Sequence, residues 1–356
     1  MELKDICQYV SDRVATTSLS TSNYISTENM LPNKGGVVIA NGLPVGNAVA
    51  FAKDDVLVSN IRPYFKKIWQ ANKNGGCSAD VLCFRKNENV DNKYFYYLLS
   101  QQSFFDHMML GSKGCKMPRG DKKQIMNWSF DLPSLEEQKR IADILSSLDS
   151  KIELNRRIND NLEQQAQAMF KSWFVENASY SGVSISEYFL PNRGKNLLVS
   201  DAKGGKTPVV AGGLTPSAFH NVANTKAPVI TISASGANAG FVNLWGIPVW
   251  AADSSYIDST IVSNIYFWYN LLKYNQKNIY ESQTGSAQPH IYPKHIGNLL
   301  IPDLDMRKVK CYESIVTSMY LQINEIQQET KLLTDLRDTL LPKLMSGELK
   351  INDLNC

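Results

Sequence analysis

The sequence lacks an apolar run long enough to span a membrane, since no stretch of its 356 residues approaches 18 consecutive apolar side chains. Its opening residues, MELKDICQYVSDRV, include charged side chains and no long apolar core, which argues against a secretory leader. None of the six cysteines forms a CxxC pair, and the four histidines show no metal-ligand spacing beside them. These absences favour a cytoplasmic protein with reduced thiols, no membrane partner and no metal site.

Motifs for nucleotide and methyl-donor chemistry are also missing. The chain has no Asn/Asp-Pro-Pro-aromatic tetrapeptide and no GxGxxG after a strand. The stretch GGKT at 204–207 resembles the end of a phosphate-binding loop, but Ser200 stands where that motif requires its first glycine. The carboxylates in PD at 302–303 and ELK at 348–350 fit structural roles better than a nuclease motif. We therefore predict no catalytic, cofactor-binding or metal-binding residue in this chain.

The composition is typical of folded globular proteins, with 43% hydrophobic and 20% charged residues. The formal net charge is +3, which neither requires nor excludes a nucleic-acid partner, so local charge matters more than the total. A chain of 356 residues is long enough for about two domains.

An internal repeat with a period near 170 residues organises the sequence. In each half, strand-like runs precede an aromatic helical segment, a loop that begins Gly-Ser, a short apolar strand ending near Pro, and a long helical pattern. The loops are GSKGCKMPRGDKKQI (111–125) and GSAQPHIYPKHI (285–296), and the strands that follow are MNWSFDLP (126–133) and GNLLIPDL (297–304). Four matched blocks in the same order indicate a duplicated domain.

Each half ends in a long amphipathic helical pattern, at 135–174 and 305–349. The apolar positions follow three- and four-residue steps, which place them along one face of a helix. In the first pattern they are Ile141, Leu145, Leu148, Ile152, Leu162, Ala166, Met169 and Trp173, and in the second they are Ile315, Met319, Ile323, Ile326, Leu333, Leu340 and Leu344. Each helix would be roughly 60 Å long, so we expect the two faces to pack on each other.

The chain path predicts the direction of the two helices, because each globular part precedes its own helix and a short linker follows the first. We predict an α+β fold in which two similar mixed globular domains are separated by two long antiparallel α-helices that form a coiled coil, with an internal pseudo-twofold repeat. The predicted segments are residues 1–133, 134–178, 179–303 and 304–356. Asn155 falls on the apolar face of the first helix, where it is either buried and fixes helix register or points to solvent.

The segment LPSLEEQKRIADILSSLDSKIELNRRINDNLEQQAQAMFKSWF resembles the central conserved region of Type I restriction-modification specificity subunits, the HsdS family. Its opening pattern P-x-x-x-E-Q-x-x-I is carried by Pro133, Glu137, Gln138 and Ile141. The closing LLTDLRDTLLPKLMSGEL resembles the C-terminal conserved region of that family, at Leu336, Arg337, Leu341, Leu344, Ser346 and Gly347. The second helix opens with IPDLDMRKVKCYES and lacks the Glu-Gln pair. If that pair docks a partner, docking at the second helix differs from docking at the first.

The resemblance implies a non-catalytic, DNA-binding subunit of a multisubunit enzyme. Each globular domain would be a target-recognition domain that reads one half of a bipartite, interrupted sequence in double-stranded DNA. Two methyltransferase subunits and restriction motor-nuclease subunits would bind this chain, and they would use the S-adenosylmethionine, ATP and Mg²⁺ that this chain does not bind. The residues expected to dock these partner subunits are Glu137, Gln138, Arg140 and Arg337.

Affinity for DNA comes from Lys and Arg on phosphates, whereas specificity comes from amides, hydroxyls and guanidinium groups at base edges. In the first domain the candidate DNA-binding residues are Arg62, Tyr64, Lys66, Lys67, Lys113, Lys116, Arg119, Lys122 and Lys123. In the second domain they are Lys206, His220, Asn221, Ser235, Asn238, Ser286, Gln288, His290, Tyr292 and Lys294. The repeat places the main loops of both sets at equivalent positions, which favours DNA contact over an ordinary solvated face.

Three other interpretations fit parts of the sequence. The chain could serve a Type IIB-like methyltransferase-nuclease, which the sequence of this subunit barely distinguishes from a Type I complex. It could be a coiled-coil adaptor with duplicated protein-binding domains, although the basic loops at equivalent positions argue against that. A stand-alone enzyme is the third interpretation, and the missing catalytic motifs argue against it.

Overall fold

The computed structural model of the protein describes residues 1–112, 116–176, 178–285 and 288–351. The chain folds into two compact units, unit 1 of Met1–Ile152 and Leu332–Cys356 and unit 2 of Glu153–Lys331. Each unit therefore holds one globular part of the chain together with portions of both long helices. The sequence-based segments, by contrast, give each long helix a segment of its own.

Within the described residues, the globular part of unit 1 contains eight short strands and three helices. The strands are β1 (Cys7–Tyr9), β2 (Arg13–Ala15), β3 (Tyr24–Ile25), β4 (Asn47–Phe51), β5 (Val56–Ser59), β6 (Ile68–Gln70), β7 (Gly75–Cys77) and β8 (Val81–Lys86), and the helices are α1 (Asn92–Leu99), α2 (Gln102–Leu110) and α3 (Lys122–Met126). One antiparallel sheet has the order β1–β8–β5–β6. A second, mixed sheet has the order β2–β4–β7–β3, with β3 and β7 parallel. The chain then enters the 40-residue helix α4 (Leu135–Phe174).

The globular part of unit 2 repeats this sequence of elements. Its strands are β9 (Asn192–Arg193), β10 (Thr207–Val210), β11 (Ala218–His220), β12 (Val229–Ser233), β13 (Val242–Trp245), β14 (Trp250–Ala251) and β15 (Ser254–Asp258), and its helices are α5 (Ile265–Tyr274), α6 (Gln276–Glu281) and α7 (Pro293–Gly297). The antiparallel sheet has the order β13–β12–β15–β9, and a three-stranded sheet has the order β11–β10–β14, with β10 and β14 parallel. The 40-residue helix α8 (Met306–Met345) follows.

The strand order confirms the internal repeat. In unit 2 the order β9–β15–β12–β13 corresponds element by element to β1–β8–β5–β6 in unit 1, and every pair in both sheets is antiparallel. The parallel pair β10–β14 corresponds to β3–β7. The α+β class with two similar mixed domains and two long helices is therefore confirmed.

Both long helices contribute to the hydrophobic core of each unit. In unit 1, Leu145 of α4 and Leu344 of α8 belong to the same buried cluster as Phe84 of β8. In unit 2, Phe170 of α4 and Tyr312 of α8 belong to one buried cluster with several residues of α5. Burial of apolar surface contributes roughly 25 cal/mol per Å², so these faces help to stabilise each unit.

The helices are antiparallel, as the contacts within unit 2 show. Asn155 of α4 contacts Glu329 of α8, and Ala166, further along α4, accepts a hydrogen bond from the hydroxyl of Tyr312, which lies earlier in α8. Asn155 is fully buried, and its amide nitrogen donates to Glu329 Oε2 at 2.7 Å and to Thr330 Oγ1 at 3.2 Å. The buried alternative for Asn155 is therefore correct.

The predicted apolar face of the second helix is partly wrong. Ile315 is 37% exposed, whereas Tyr312, Val316, Tyr320 and Ile323 are buried. The steps between these buried residues are also three and four, so they define a neighbouring face on which tyrosine takes the place of an aliphatic residue. The Tyr320 hydroxyl donates to Asn270 Oδ1 at 2.8 Å, which satisfies its polar atom inside the core.

Glu313 of α8 caps helix α5 from a distant part of the chain. Asn264, at the start of α5, adopts a left-handed conformation and gives no side-chain cap. Instead the Glu313 carboxylate accepts hydrogen bonds from the backbone N–H groups of Tyr266 at 3.2 Å and Phe267 at 2.7 Å. These are first-turn donors that a helix cannot satisfy internally. Burial raises the pKa of Glu313, and the two donors oppose that change because they stabilise the carboxylate.

We expect Glu313→Ala to lower the thermal-unfolding midpoint of the protein, because it leaves two buried amide donors without an acceptor. The loss should be on the order of 1–3 kcal/mol, or several degrees for a unit of this size. Glu325→Ala, on an exposed part of the same helix, is the matched control. Equal midpoints for the two variants in calorimetry would show that Glu313 does not cap α5 in solution.

Candidate nucleic-acid interface

The two basic loops predicted in the first domain lie side by side. The loop after β5 carries Arg62, whose backbone N–H donates to the carbonyl of Pro118 at 2.8 Å. Ile61 forms a β-bridge with Arg119 in the loop before α3. The side chain of Asn60 donates to the carbonyl of Gly120 at 3.2 Å. Backbone contacts therefore hold the RPYFKK and MPRG segments together as one surface.

Backbone geometry explains why this junction is tight. Arg62 and Lys66 both adopt left-handed conformations with φ near 50°, at the two ends of a short 3-10 turn over Pro63–Phe65. At Gly120, a Cβ would come within 2.9 Å of Ile125 Cδ1 and 3.0 Å of Asn60 Oδ1, so this position favours glycine.

Two polar atoms at the junction have no hydrogen-bond partner among the described residues. They are Asn60 Oδ1 and Arg62 Nε, and both are buried. A buried donor or acceptor without a partner is costly. These atoms therefore suit a site that is completed by a partner molecule or by water.

The remaining residues of the RPYFKK loop differ in their accessibility. Tyr64 is 48% exposed, and its ring lies 4.7 Å from that of Phe65 between centroids. Lys67 Nζ donates to the carbonyl of Thr27 at 2.6 Å, and burial lowers the pKa of this ammonium group. Lys66 is partly buried. The loop thus presents Tyr64 more openly than its two lysines.

The second basic segment presents several cations to solvent. Lys116, Arg119, Lys122 and Lys123 are exposed, whereas Lys113 lies outside the described residues. Lys122 and Lys123 open helix α3, and the preceding Asp121 side chain accepts hydrogen bonds from the N–H groups of Lys123 and Gln124. This N-cap holds the two lysines at the start of a helix, next to the Gly120 junction.

Unit 2 has an equivalent junction built from polar residues. Ser235, in the loop after β12, forms a β-bridge with His290, and the N–H of Gly236 donates to the carbonyl of Pro289 at 3.1 Å. The rings of His290 and Tyr292 stack at 6.0 Å between centroids. The structure therefore brings together the two loops of unit 2 that the repeat matches with the two basic loops of unit 1.

Other predicted residues surround this second junction. Asn238 reaches the carbonyl of Gly212 at 3.5 Å through its side-chain amide. Gln288, Tyr292 and Lys294 are exposed, and Ser286 lies outside the described residues. These side chains supply the amide, hydroxyl and ammonium groups that DNA contact requires.

The structure does not bring Lys206, His220 and Asn221 to this junction. Thr207 pairs with His220 at one end of the β10–β11 hairpin, whereas the loop at the other end of the hairpin contacts Asn238. His220 is only 6% exposed, and its Nδ1 accepts a hydrogen bond from the Lys203 N–H at 3.1 Å. Sequence reasoning named these residues only as further DNA-binding candidates of the second domain, and that role stays a prediction.

One expected docking residue has a structural role inside unit 1. Gln138 is 1% exposed, its Oε1 accepts from the Asp91 N–H at 2.9 Å, and its Nε2 donates to the Pro133 carbonyl at 3.0 Å. It therefore joins α4 to the start of α1 and offers no free surface to a partner. Glu137 and Arg140, in the same part of α4, are exposed.

Arg337 is also engaged within unit 1. Its side chain is 15% exposed and donates to Asp149 Oδ1 of α4 at 2.7 Å and to Asp338 Oδ1 at 2.9–3.0 Å. The other carboxylate oxygen of Asp149 accepts from the Tyr97 hydroxyl at 2.6 Å. Arg337 thus links α8 to α4 and α1, which leaves little of it for a partner subunit.

Sequence reasoning missed two carboxylates that border the junctions. Asp80 forms an ion pair with Arg119 at 2.9 Å in unit 1, and Asp253 forms one with Arg193 at 2.7 Å in unit 2. Asp253 also accepts a hydrogen bond from the Ser235 hydroxyl. An alignment of the two halves on strands β8 and β15 could have found them, because each Asp immediately precedes its strand.

Within the described ranges, no group of three or more His, Cys, Asp or Glu residues is arranged to hold a metal ion. Over the same residues, no helix combines the length and the apolar character that crossing a bilayer demands.

Comparison with known proteins gives a consistent result. Residues 1–164 match the family described as Type I restriction modification DNA specificity domain. A stretch of 223 residues, 58% of this chain, is 30% identical to the Type I restriction enzyme HindI specificity subunit of Haemophilus influenzae, and it covers 47% of that protein. The chain thus spans about half the length of that relative.

Two further similarities extend over more of the chain. The Type I restriction enzyme MjaIX specificity subunit of Methanocaldococcus jannaschii is 23% identical over 321 residues, which are 75% of this chain and 71% of that protein. The crystal structure of a Type I restriction-modification S subunit from M. genitalium superposes with a TM-score of 0.59 at 21% identity and covers 97% of this chain and 95% of that one. That structure supports the fold, and the family match spans the first globular part and most of α4, so residues 1–164 of this chain are similar to the Type I restriction modification DNA specificity domain.

Proposed function

We propose that this chain is the sequence-specific DNA-binding subunit of a Type I restriction-modification complex. Each globular part reads one half of a bipartite, interrupted target in double-stranded DNA. The chain docks two methyltransferase subunits and the restriction motor-nuclease subunits, and these partners carry S-adenosylmethionine, ATP and Mg²⁺. This chain has no catalytic role of its own in the proposal.

The observation that carries the proposal is the duplicated junction of two loops. In unit 1 the loop after β5 joins the loop before α3, and in unit 2 the loop after the equivalent strand β12 joins the loop before α7. The same architecture therefore presents two different sets of side chains, basic in unit 1 and mainly polar in unit 2. Two similar scaffolds with different surfaces suit two half-sites of different sequence.

The chemistry of each junction fits contact with duplex DNA. Exposed cations such as Lys122 and Lys123 would neutralise phosphates, which supplies affinity without sequence information. Side-chain amides and hydroxyls, such as those of Gln288 and Tyr292, can donate to and accept from base edges and phosphates. The exposed lysines beside this junction favour DNA contact over an adaptor that binds only protein.

The first test maps methylated adenines in cells that express this chain with its neighbouring methyltransferase subunit, by long-read sequencing. We expect a bipartite methylated motif that disappears when this chain is omitted. A motif that persists without the chain would contradict the specificity role. Methylation that never appears, combined with no DNA binding by the purified complex, would favour the adaptor.

A second test uses the salt dependence of DNA affinity. Replacement of Lys122 and Lys123 by Ala should weaken binding and reduce the slope of log affinity against log salt by roughly 1–2, because each phosphate contact releases about 0.9 counterion. The matched control is Lys73→Ala, an exposed lysine in the turn at the opposite end of the β5–β6 hairpin. Equal slopes for the double variant and the wild type would exclude phosphate contact by these lysines.

A third test separates docking from folding on α4. Glu137→Ala and Arg140→Ala should weaken assembly with the methyltransferase subunit and leave the unfolding midpoint unchanged, because both side chains are exposed. Gln138→Ala should lower the midpoint instead, since it removes two buried hydrogen bonds worth on the order of 1 kcal/mol each. Exposed Lys139 gives the control variant Lys139→Ala. Normal assembly by the Glu137 and Arg140 variants would refute docking at this position.

A further inference from the structure

Two ion pairs occupy the same place in the repeat, one in each unit. Asp80 immediately precedes β8, and Asp253 immediately precedes the equivalent strand β15. The Asp80 carbonyl accepts from the N–H of Asn60 at 2.8 Å, and the Asp253 carbonyl accepts from the N–H of Ala234 at 3.1 Å. Asn60 and Ala234 are the first residues after the equivalent strands β5 and β12. Both carboxylates therefore lie at the same corner of the fold, beside the loops of the candidate interface.

Each of these carboxylates holds an arginine that is still accessible. One terminal nitrogen of Arg119 lies 2.9 Å from Asp80, and one of Arg193 lies 2.7 Å from Asp253. The side chains of Arg119 and Arg193 are 57% and 43% exposed. A guanidinium group carries five N–H donors in a fixed plane. Each ion pair therefore restrains the orientation of the guanidinium and leaves donors for a ligand.

Stability alone does not account for these pairs. Exposed ion pairs contribute little to folding, because solvent screens the charges and both side chains lose freedom. The two arginines also come from different segments, Arg119 from the loop before α3 and Arg193 from the edge strand β9. The carboxylate therefore occupies the same position in both units. The arginine that pairs with it comes from a different segment in unit 1 than in unit 2.

The local charge favours a base edge over a phosphate as the ligand. A carboxylate next to the guanidinium repels phosphate and offsets part of the attraction that a free arginine would exert. Guanine instead presents two neutral acceptors, N7 and O6, in the major groove, and the two parallel donors of arginine match them. An arginine already held in place loses less side-chain freedom on contact.

We propose that Arg119 and Arg193 each donate to the N7 and O6 atoms of a guanine, one in each half of the DNA target, and that Asp80 and Asp253 are their positioning residues. This rests on the proposed function and adds a specific base to each half-site.

The test uses the full chain in complex with its methyltransferase subunit. The methylated motif of the wild type first defines the two half-sites. Binding is then measured with duplexes in which one guanine at a time is replaced by 7-deazaguanine, which lacks the N7 acceptor and keeps Watson–Crick pairing. We expect one guanine in each half-site whose replacement weakens wild-type binding by roughly five-fold or more. The Arg193→Ala complex should have lost this sensitivity in one half-site only.

Two further variants separate base contact from charge and from folding. Arg193→Lys keeps the positive charge but loses the planar pair of donors, so it should lose most of the wild-type preference for guanine over 7-deazaguanine at that position. Asp253→Asn should reduce the preference for guanine over 7-deazaguanine at that position. Its unfolding midpoint and its recognition of the other half-site should be unchanged. Lys277→Ala, at a side chain that is 89% exposed on α6, is the control. The Arg119 and Asp80 variants repeat the test in unit 1 if the Arg193 variants fail to fold.

Three results would overturn the proposal and leave the proposed function intact. The first is a half-site that contains no guanine. The second is equal sensitivity of the wild type and Arg193→Ala to 7-deazaguanine. The third is a loss of affinity in Arg193→Ala that is the same for every DNA sequence and that Arg193→Lys restores. The last of these would identify a phosphate contact. Failure of the wild-type chain to direct any methylated motif would overturn the proposed function and this inference with it.

Discussion

The rest of the structure depends on the shared burial of the two long helices. Each globular part leaves an apolar face that neither long helix covers alone, and residues from both helices close it. Leu145 and Leu344 meet in the core of unit 1, and Phe170 and Tyr312 meet in the core of unit 2. These pairs lie more than 100 residues apart in the chain, so each core closes only after long-range pairing of the helices.

The sequence was most informative where periodicity is long and local. The pattern from 135 to 174 predicts a helix whose observed bounds are the same, and the duplicated blocks predict two similar domains, whose antiparallel sheets share one strand order. The prediction of the apolar face of α8 was partly wrong, because Tyr312 and Tyr320 are buried and Ile315 is exposed. A tyrosine can be buried when its hydroxyl has a hydrogen-bond partner, and the sequence alone does not show which residue that partner is.

The candidate interface was predictable as a set of loops but not as a set of contacts. The repeat predicted that the basic loops of the first domain have equivalents in the second, and the structure shows in addition that the two loops of each unit contact each other. It could not indicate that Asp253 lies next to Arg193, because that contact depends on the register of β9 against β15. Registers over two or three residues carry too few side chains to be determined from one sequence.

The second helix lacks the Glu-Gln pair, and a different residue of that helix makes the contact that Gln138 makes in unit 1. Gln138 uses its side chain to join α4 to the start of α1, and Glu313 joins α8 to the start of α5 by the same kind of hydrogen bond. In unit 2 the acceptor for amides at the start of the preceding short helix, α5, is a carboxylate that lies one turn later in α8 than Gln138 lies in α4. The departure at the opening of α8 is therefore accompanied by a substitute contact within unit 2, and different docking at the second helix stays a prediction. Exposed neighbours such as Glu137 are the positions where docking would differ.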